Sequence, residues 1–227
     1  MLDKTLVIVP ARSGSKGIPN KNIQLIHKKP LLSYSIEFAL QAGFKHVYIS
    51  TDSLEYESLA VSFGAKSIGL REASLATDDA KTVDVVIDLY QKLKQPFQYI
   101  LLLQPTAPQR SLSDIDELSQ LIAEPNINSI VSVSKLEEPH PFKLKTVSKE
   151  GMLSSFLPNT SSEVPRQRLT PVYKLNGAYY FSKSKTLLAC KSFFPENQTK
   201  AFVMDDIINV DTSIDLIALE RKLKKTF

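Results

Sequence analysis

Short runs of β-branched and aliphatic residues alternate with segments of helical spacing along most of this chain, and that alternation limits the folds open to it. Leu6-Val7-Ile8-Val9 is a continuous apolar run stopped by Pro10. It reads as a strand buried on both faces, as in a parallel sheet. Residues 31–42 place Leu32, Ile36, Ala39 and Leu40 at helical spacing, and Gly43 offers a stop. Val47-Tyr48-Ile49 predicts the next strand, ending in Ser50-Thr51-Asp52, and 54–63 a helix ending at Gly64. A further helix is expected over 83–93 with Val83, Val86, Ile87 and Tyr90 on one face. Tyr99-Ile100-Leu101-Leu102-Leu103 is the most hydrophobic run and is expected at the centre of the sheet. A helix over 115–122 with Ser113 as its N-cap, then a strand at Ile130-Val131-Ser132-Val133, continue the series. Strand–helix alternation of this kind implies a three-layer α/β fold with a mainly parallel sheet.

Between residues 139 and 171 the character changes. Prolines stand at 139, 141, 158, 165 and 171, and helical periodicity is lost. This stretch reads as a loop-and-hairpin insertion. Strand character resumes at Ala178 to Phe181, and 215–224 reads as a closing amphipathic helix. The 227 residues are enough for one substantial core, so the chain is expected to form a single domain over 1–227. Cys190 is the only cysteine and cannot form an internal disulfide, and the apolar run near the N-terminus is too short to span a membrane. A cytoplasmic protein without membrane partners is expected. The net charge of +4 suits a phosphate-binding protein as well as a nucleic-acid binder. No patch interleaves basic and aromatic residues, so no nucleic-acid partner is expected.

In open α/β sheets ligands bind beyond the carboxyl ends of the strands. The segments to inspect therefore follow Val9, Ile49, Leu103 and Val133. The first is Pro10-Ala11-Arg12-Ser13-Gly14-Ser15-Lys16-Gly17, with Lys21 and Asn22 close behind. Gly14 and Gly17 permit close backbone approaches. Arg12, Lys16 and Lys21 gather cations suited to a polyphosphate. The pattern is neither the G-x-x-x-x-G-K-[ST] loop nor G-x-G-x-x-G. His27, His46 and His140 show no metal-ligand spacing.

The run from Ile8 to Asn22 closely resembles the signature of the acylneuraminate cytidylyltransferases, the CMP-sialic acid synthetase family. Further matches follow in order: Leu75-Ala76-Thr77-Asp78, Leu103-Gln104-Pro105-Thr106-Ala107-Pro108, Pro165-Arg166-Gln167, Asn176-Gly177-Ala178-Tyr179-Tyr180 and Val210-Asp211-Thr212. The resemblance implies a Rossmann-like nucleotidyltransferase fold and a homodimer in which an insertion over about 139–180 reaches the neighbouring subunit. It implies attack of the anomeric hydroxyl of a nine-carbon acid sugar on the α-phosphorus of CTP, with pyrophosphate leaving and Mg²⁺ or Mn²⁺ as cofactor. Arg12, Ser15, Lys16 and Lys21 are then expected on the triphosphate, Asn22 on the ribose, and Arg71, Thr82 and Thr106 elsewhere on the nucleotide. Gln104 is expected to orient the sugar, with Arg166 gripping its carboxylate and Lys143 as a second basic contact. Tyr180, Phe193 and Phe194 match an aromatic patch around the sugar's acyl and glycerol-like end. Arg12, Lys21, Gln104 and Asp211 are the expected catalytic set.

One departure matters. The family's metal motif is Asp-x-Asp, and here it reads Asn209-Val210-Asp211. Asp211 is expected to be the main metal ligand, with Asn209 a weak one. Asp205, Asp206 and Asp215 read as surface or capping acids. Gln109-Arg110 stands where family members often carry Leu-Arg. Three alternatives stay open: the same transfer to the eight-carbon acid Kdo, a different choice among N-acetylneuraminate, legionaminate and pseudaminate, and a non-catalytic nucleotide- or sugar-binding protein on the same fold.

Overall fold

The computed structural model describes residues 1–205 and 207–223. The elements run β1 (Thr5–Pro10), β2 (Leu25–Ile26), β3 (Lys29–Pro30), α1 (Leu31–Gln41), β4 (Val47–Ser50), α2 (Leu54–Ser62), α3 (Thr82–Leu93) and β5 (Tyr99–Leu102). They continue with α4 (Leu112–Ala123), β6 (Ser129–Leu136), β7 (Lys145–Val147), β8 (Leu153–Ser155), β9 (Val172–Lys183), α5 (Ser184–Cys190), β10 (Thr199–Met204) and α6 (Ser213–Leu223). Six strands form one sheet in the order β10-β6-β9-β5-β1-β4. β1 pairs in parallel with both β4 and β5, and β10 with β6. β9 runs antiparallel to both of its neighbours, β5 and β6.

The alternation along β1 explains the layers. Val7 and Val9 join a core with Leu32, Ile36, Ile115 and Leu118, so α1, α2 and α4 cover that face. Leu6 and Ile8 point the other way, into a core with Val86, Leu89 and Leu187 from α3 and α5. Successive strand side chains alternate between faces, and an unbroken apolar strand therefore needs a cover on each. The expected mainly parallel, Rossmann-like sheet is present, with β9 as the reversed strand.

Several local expectations shift. The N-cap of α4 is Ser111, not Ser113: its hydroxyl accepts from Ser113 N–H at 3.3 Å, and the Asp114 carboxylate accepts from Ser111 N–H at 2.9 Å. The helix therefore starts before the point that the apolar spacing suggests. On α3 the fully buried residues are Val85, Val86 and Leu89, while Val83, Ile87 and Tyr90 are only partly buried beside them. The insertion does contain a hairpin, β7 with β8. The closing helix starts at Ser213, two residues before the expected range; Lys224, at its expected end, is outside the described residues, as is Asp206. No helix among the described residues is long and apolar enough to cross a membrane.

Candidate active site

The carboxyl ends of β1, β4 and β5 open onto one side of the sheet, and loops rather than helices follow β1 and β5. Those loops, the segment before α3 and the 209–211 segment enclose a cleft of about 670 Å³. Arg12, Ser15, Lys16, Lys21, Asn22, Arg71, Thr82, Gln104, Thr106, Asn209 and Asp211 all line it. Every residue assigned to nucleotide, metal or catalysis from the sequence therefore falls on one set of walls.

The phosphate-type loop is anchored from below. Ser13 donates to the Asp52 carboxylate from both its N–H, at 2.9 Å, and its hydroxyl, at 2.8 Å. Asn22 is buried, and its amide donates to the Arg12 carbonyl at 3.0 Å. Asn22 thus buttresses the loop as well as lining the cleft. The cations are tied to acids. One Asp78 carboxylate pairs with Arg12 Nη1 at 2.6 Å and Lys16 Nζ at 2.5 Å. Hydrogen bonds from Lys16 and then Arg12 hold the Asp78 carboxyl below the usual carboxylate range. Lys21 Nζ donates to the Val210 carbonyl at 2.9 Å and the Asp211 carboxylate at 3.0 Å. A Cβ on Gly17 would meet the Asp211 carbonyl oxygen at 2.6 Å, so only glycine lets the loop approach that segment this closely.

Arg71 enters from the 64–73 loop, its N–H donating to the Thr51 carbonyl at 2.8 Å. Its side chain is 5% exposed, and Nη2 stands 3.8 Å from the Asp52 carboxylate. Burial lowers the Arg71 pKa, and Nε has no hydrogen-bond partner among the described residues. Such a desolvated, incompletely satisfied donor facing a cleft is a ready contact for a polar ligand.

Asn209 and Asp211 are the candidate holders of a metal ion. The Asp211 side chain is largely exposed, and its carboxylate is engaged only on one side by Lys21. The Asn209 carbonyl oxygen is buried and has no hydrogen-bond partner among the described residues. Among the described residues no three His, Cys, Asp or Glu side chains gather as a metal cage. One carboxylate plus an orphaned amide oxygen fits a Mg²⁺ held mostly by substrate phosphates and water. Asp215 serves elsewhere, because its carboxylate accepts from Thr212 N–H at 2.7 Å and from Asp211 N–H at 3.1 Å, capping α6. Asp205 is exposed.

The sugar-side candidates divide. Tyr180, Phe193 and Phe194 line a second cavity of about 370 Å³ that shares Thr82 and Gln104 with the main cleft. The Tyr180 ring lies 5.2 Å from that of Phe193 and 6.4 Å from that of Phe194. Phe193 is also part of the core, whereas Phe194 is half exposed. Lys143 and Arg166 are not on either cavity. They line a separate one of about 160 Å³ within the insertion. There Arg166 pairs with Glu138 at 3.3 Å, and Lys143 donates to the carbonyls of Ser162 and Val164. His140 in the same place is held by the Thr170 carbonyl and the Phe142 N–H, a structural pairing that suits one neutral tautomer.

Sequence reasoning passes over Asp52 and Asp78 as functional side chains. Asp52 follows a strand at the binding edge and Asp78 ends the Leu75-Ala76-Thr77-Asp78 motif, so position could have drawn attention to both. Their partners, Ser13, Arg12 and Lys16, lie far off in sequence, and spacing carries no sign of the contact.

The comparisons agree with this geometry. A cytidylyltransferase family model matches residues 6–212. A CMP-N,N'-diacetyllegionaminic acid synthase from Legionella pneumophila is 35% identical, with 97% of each chain covered. An N-acylneuraminate cytidylyltransferase from Streptococcus agalactiae serotype V is 34% identical over 94% of this chain, which spans 52% of that protein's length. The chain thus spans about half of the streptococcal relative and nearly all of the Legionella one. Among solved structures, a CMP:2-keto-3-deoxy-manno-octonic acid synthetase shares the fold with a TM-score of 0.74 at 21% identity, covering 99% of this chain and 100% of its own. A nucleotide-sized cleft with paired cations on a Rossmann-like sheet, inside a family match of nearly full length, has one consistent reading: the chain belongs to the cytidylyltransferase family.

Proposed function

We propose that the chain transfers CMP from CTP to the anomeric hydroxyl of a nine-carbon 2-keto acid sugar. The observation that carries this is the continuity of the cation-lined cleft with the Tyr180–Phe194 cavity through Gln104 and Thr82. A triphosphate suits the first and a sugar with an apolar acyl substituent the second, with Gln104 between them. The sugar oxygen forms a bond to the α-phosphorus, the bond from that phosphorus to the bridging oxygen breaks, and pyrophosphate leaves. The hydroxyl proton goes to water. Arg12, Lys16 and Lys21 neutralise the triphosphate, and Lys21 meets the charge that grows on the leaving group. Arg71, Thr82, Asn22 and Thr106 orient the nucleotide. Asp211, with Asn209 beside it, would hold a divalent cation, which when bound supplies further neutralisation of phosphate charge.

Arg166 and Lys143 act in this reading on the sugar carboxylate of a second subunit. Two features support a homodimer built through the insertion. Both cations line a cavity apart from their own cleft. The hairpin and its return also expose Met152 and Leu153 at 69% each and Phe156 at 58%, a patch suited to burial against another copy.

Pyrophosphate release from CTP with a panel of acid sugars tests the reading. Turnover with a nine-carbon acid and little with Kdo is expected. No release with any sugar, or a preference for Kdo, overturns it.

A further inference from the structure

Arg110 lies on the loop between β5 and α4 and is not a wall of the cleft. Its guanidinium nevertheless makes three hydrogen bonds of 2.9 Å, to the Ala178 carbonyl, the Ser35 hydroxyl and the Gln104 carbonyl. It also lies over the rings of Phe38 and Tyr179, at 5.9 and 5.6 Å. Burial pulls its pKa down to about 10. Among the described residues no carboxylate pairs with it directly, and Asp114, the acid nearby, is taken by the Tyr179 hydroxyl at 2.7 Å. A cation so placed is costly where a hydrocarbon would pack. What it does hold is the main chain of two site-bearing segments, at Gln104 and at Gly177-Ala178.

The residue beside it reaches a third. Gln109 accepts from the Ile208 N–H at 2.8 Å, and the Thr106 carbonyl accepts from the Val210 N–H at 2.8 Å. Asn209 is thereby bracketed on both sides. These three segments converge on one point. Gly177 has φ +80°, and a Cβ there would overlap Gln104 Oε1 and lie 2.9 Å from Asn209 Nδ2. The space of one missing methyl is shared by two polar side chains of the cleft.

We propose that Arg110 is a positioning residue that fixes Gln104 against the Gly177-Ala178 segment, in the geometry required for CMP transfer. It does not touch substrate, and its bonds tie the Gln104 main chain to Ala178 beside Gly177. The inference rests on the transferase reading and names a residue that holds its centre. Misplacement of reacting groups by about 1 Å costs on the order of 10²-fold in rate, so a clamp remote from the chemistry is visible in kcat.

The test compares the wild-type chain with Arg110→Met, Arg110→Lys and Ser35→Ala, using a sugar that the wild type turns over. Steady-state kinetics, CTP affinity by calorimetry and Tm are measured for each. Arg110→Met is expected to lower kcat by about 10- to 100-fold with CTP affinity unchanged. Arg110→Lys is expected not to rescue it, because an ammonium cannot span three divergent acceptors. Ser35→Ala removes one acceptor of the guanidinium and is expected to lower kcat by about 3- to 10-fold at unchanged Tm, as a displaced but intact site would. A wild-type kcat in Arg110→Met, whether or not its Tm falls, would make the role structural at most and overturn the proposal. Should Arg110→Met fail to fold, a wild-type kcat in Ser35→Ala overturns it instead. Absence of turnover by the wild type with every sugar would remove the transferase reading itself, a different result.

Discussion

Asp78 holds Arg12 and Lys16, the two cations proposed to meet the triphosphate, on its two carboxylate oxygens. In the proposed reaction an incoming nucleotide has to exchange that carboxylate for its phosphates. Each pair is open to solvent and screened by it, so each is weak. Asp78→Asn is therefore expected to lower the KM for CTP by about 3- to 10-fold with little change in kcat, which initial-rate measurements at saturating sugar would reveal; a raised KM would assign Asp78 to the nucleotide instead. At Asp211 the expectation runs the other way. It is the single carboxylate of the proposed metal position, and Asp211→Asn should lower kcat by about 10²-fold or more, since metal stabilisation of phosphoryl charge is worth several kcal/mol. Asn209→Asp should be tolerated and shift half-maximal activity to lower magnesium. Two titrations of rate against magnesium, one per variant, check this, and near-normal activity in Asp211→Asn would move the metal elsewhere.

The start of α4 carries a stability expectation. Ser111 and Asp114 cap each other's backbone, and Asp114 also accepts from Tyr179 in the core. Ser111→Ala should cost about 1 kcal/mol, a fall of roughly 2–4 °C in Tm for a domain of this size, measured by calorimetry. Asp114→Ala should cost more, because the Tyr179 hydroxyl loses its acceptor as well. The same helix shows what the sequence can and cannot disclose. Its apolar face, Ile115, Leu118 and Ile122, is readable from spacing, whereas the choice between Ser111 and Ser113 as cap depends on backbone geometry that both residues permit. β1, β4, β5 and β6 are legible because they are unbroken or nearly unbroken apolar runs. β10 is passed over although Ala201-Phe202-Val203-Met204 is an apolar run, and burial does not follow that run: along Thr199–Met204 only Phe202 is buried. The reversed direction of β9 leaves no periodic trace either, since side chains alternate identically in parallel and antiparallel strands. In the site, the loop after β1 announces itself through its glycines and cations. Arg110 does not, because its meaning lies in carbonyls at Gln104 and Ala178 that only the folded sheet brings together.

At the scale of the whole molecule, Arg166 is on the insertion and Lys21 in the cleft, and the proposed homodimer makes them partners across subunits. Arg166→Ala and Lys21→Ala should each be nearly inactive alone. Mixed by co-expression, half of the dimers carry one variant of each kind, and one of their two sites is then intact. About a quarter of wild-type activity should return. No recovery, measured as pyrophosphate release by the purified mixture, would place both residues in the same subunit's site. A separate consequence follows from the position of β9 in the sheet. β5 and β6 flank it and share no pairing with each other, and β6 takes both of its partners, β9 and β10, from later in the chain. Of the six-stranded sheet, residues 1–171 can therefore pair only β4-β1-β5, and they leave β6 with two bare edges. The loop after β1 precedes most of the sheet in sequence, yet the sheet behind it closes only when Val172–Lys183 slides between its two halves. Such late, long-range pairing is slow and leaves strand edges open to other chains. A chain ended at residue 171 should show no protease-resistant core and should aggregate as it leaves the ribosome. The intact chain should gain protection across β1, β5 and β6 in a single step, because one strand completes them all.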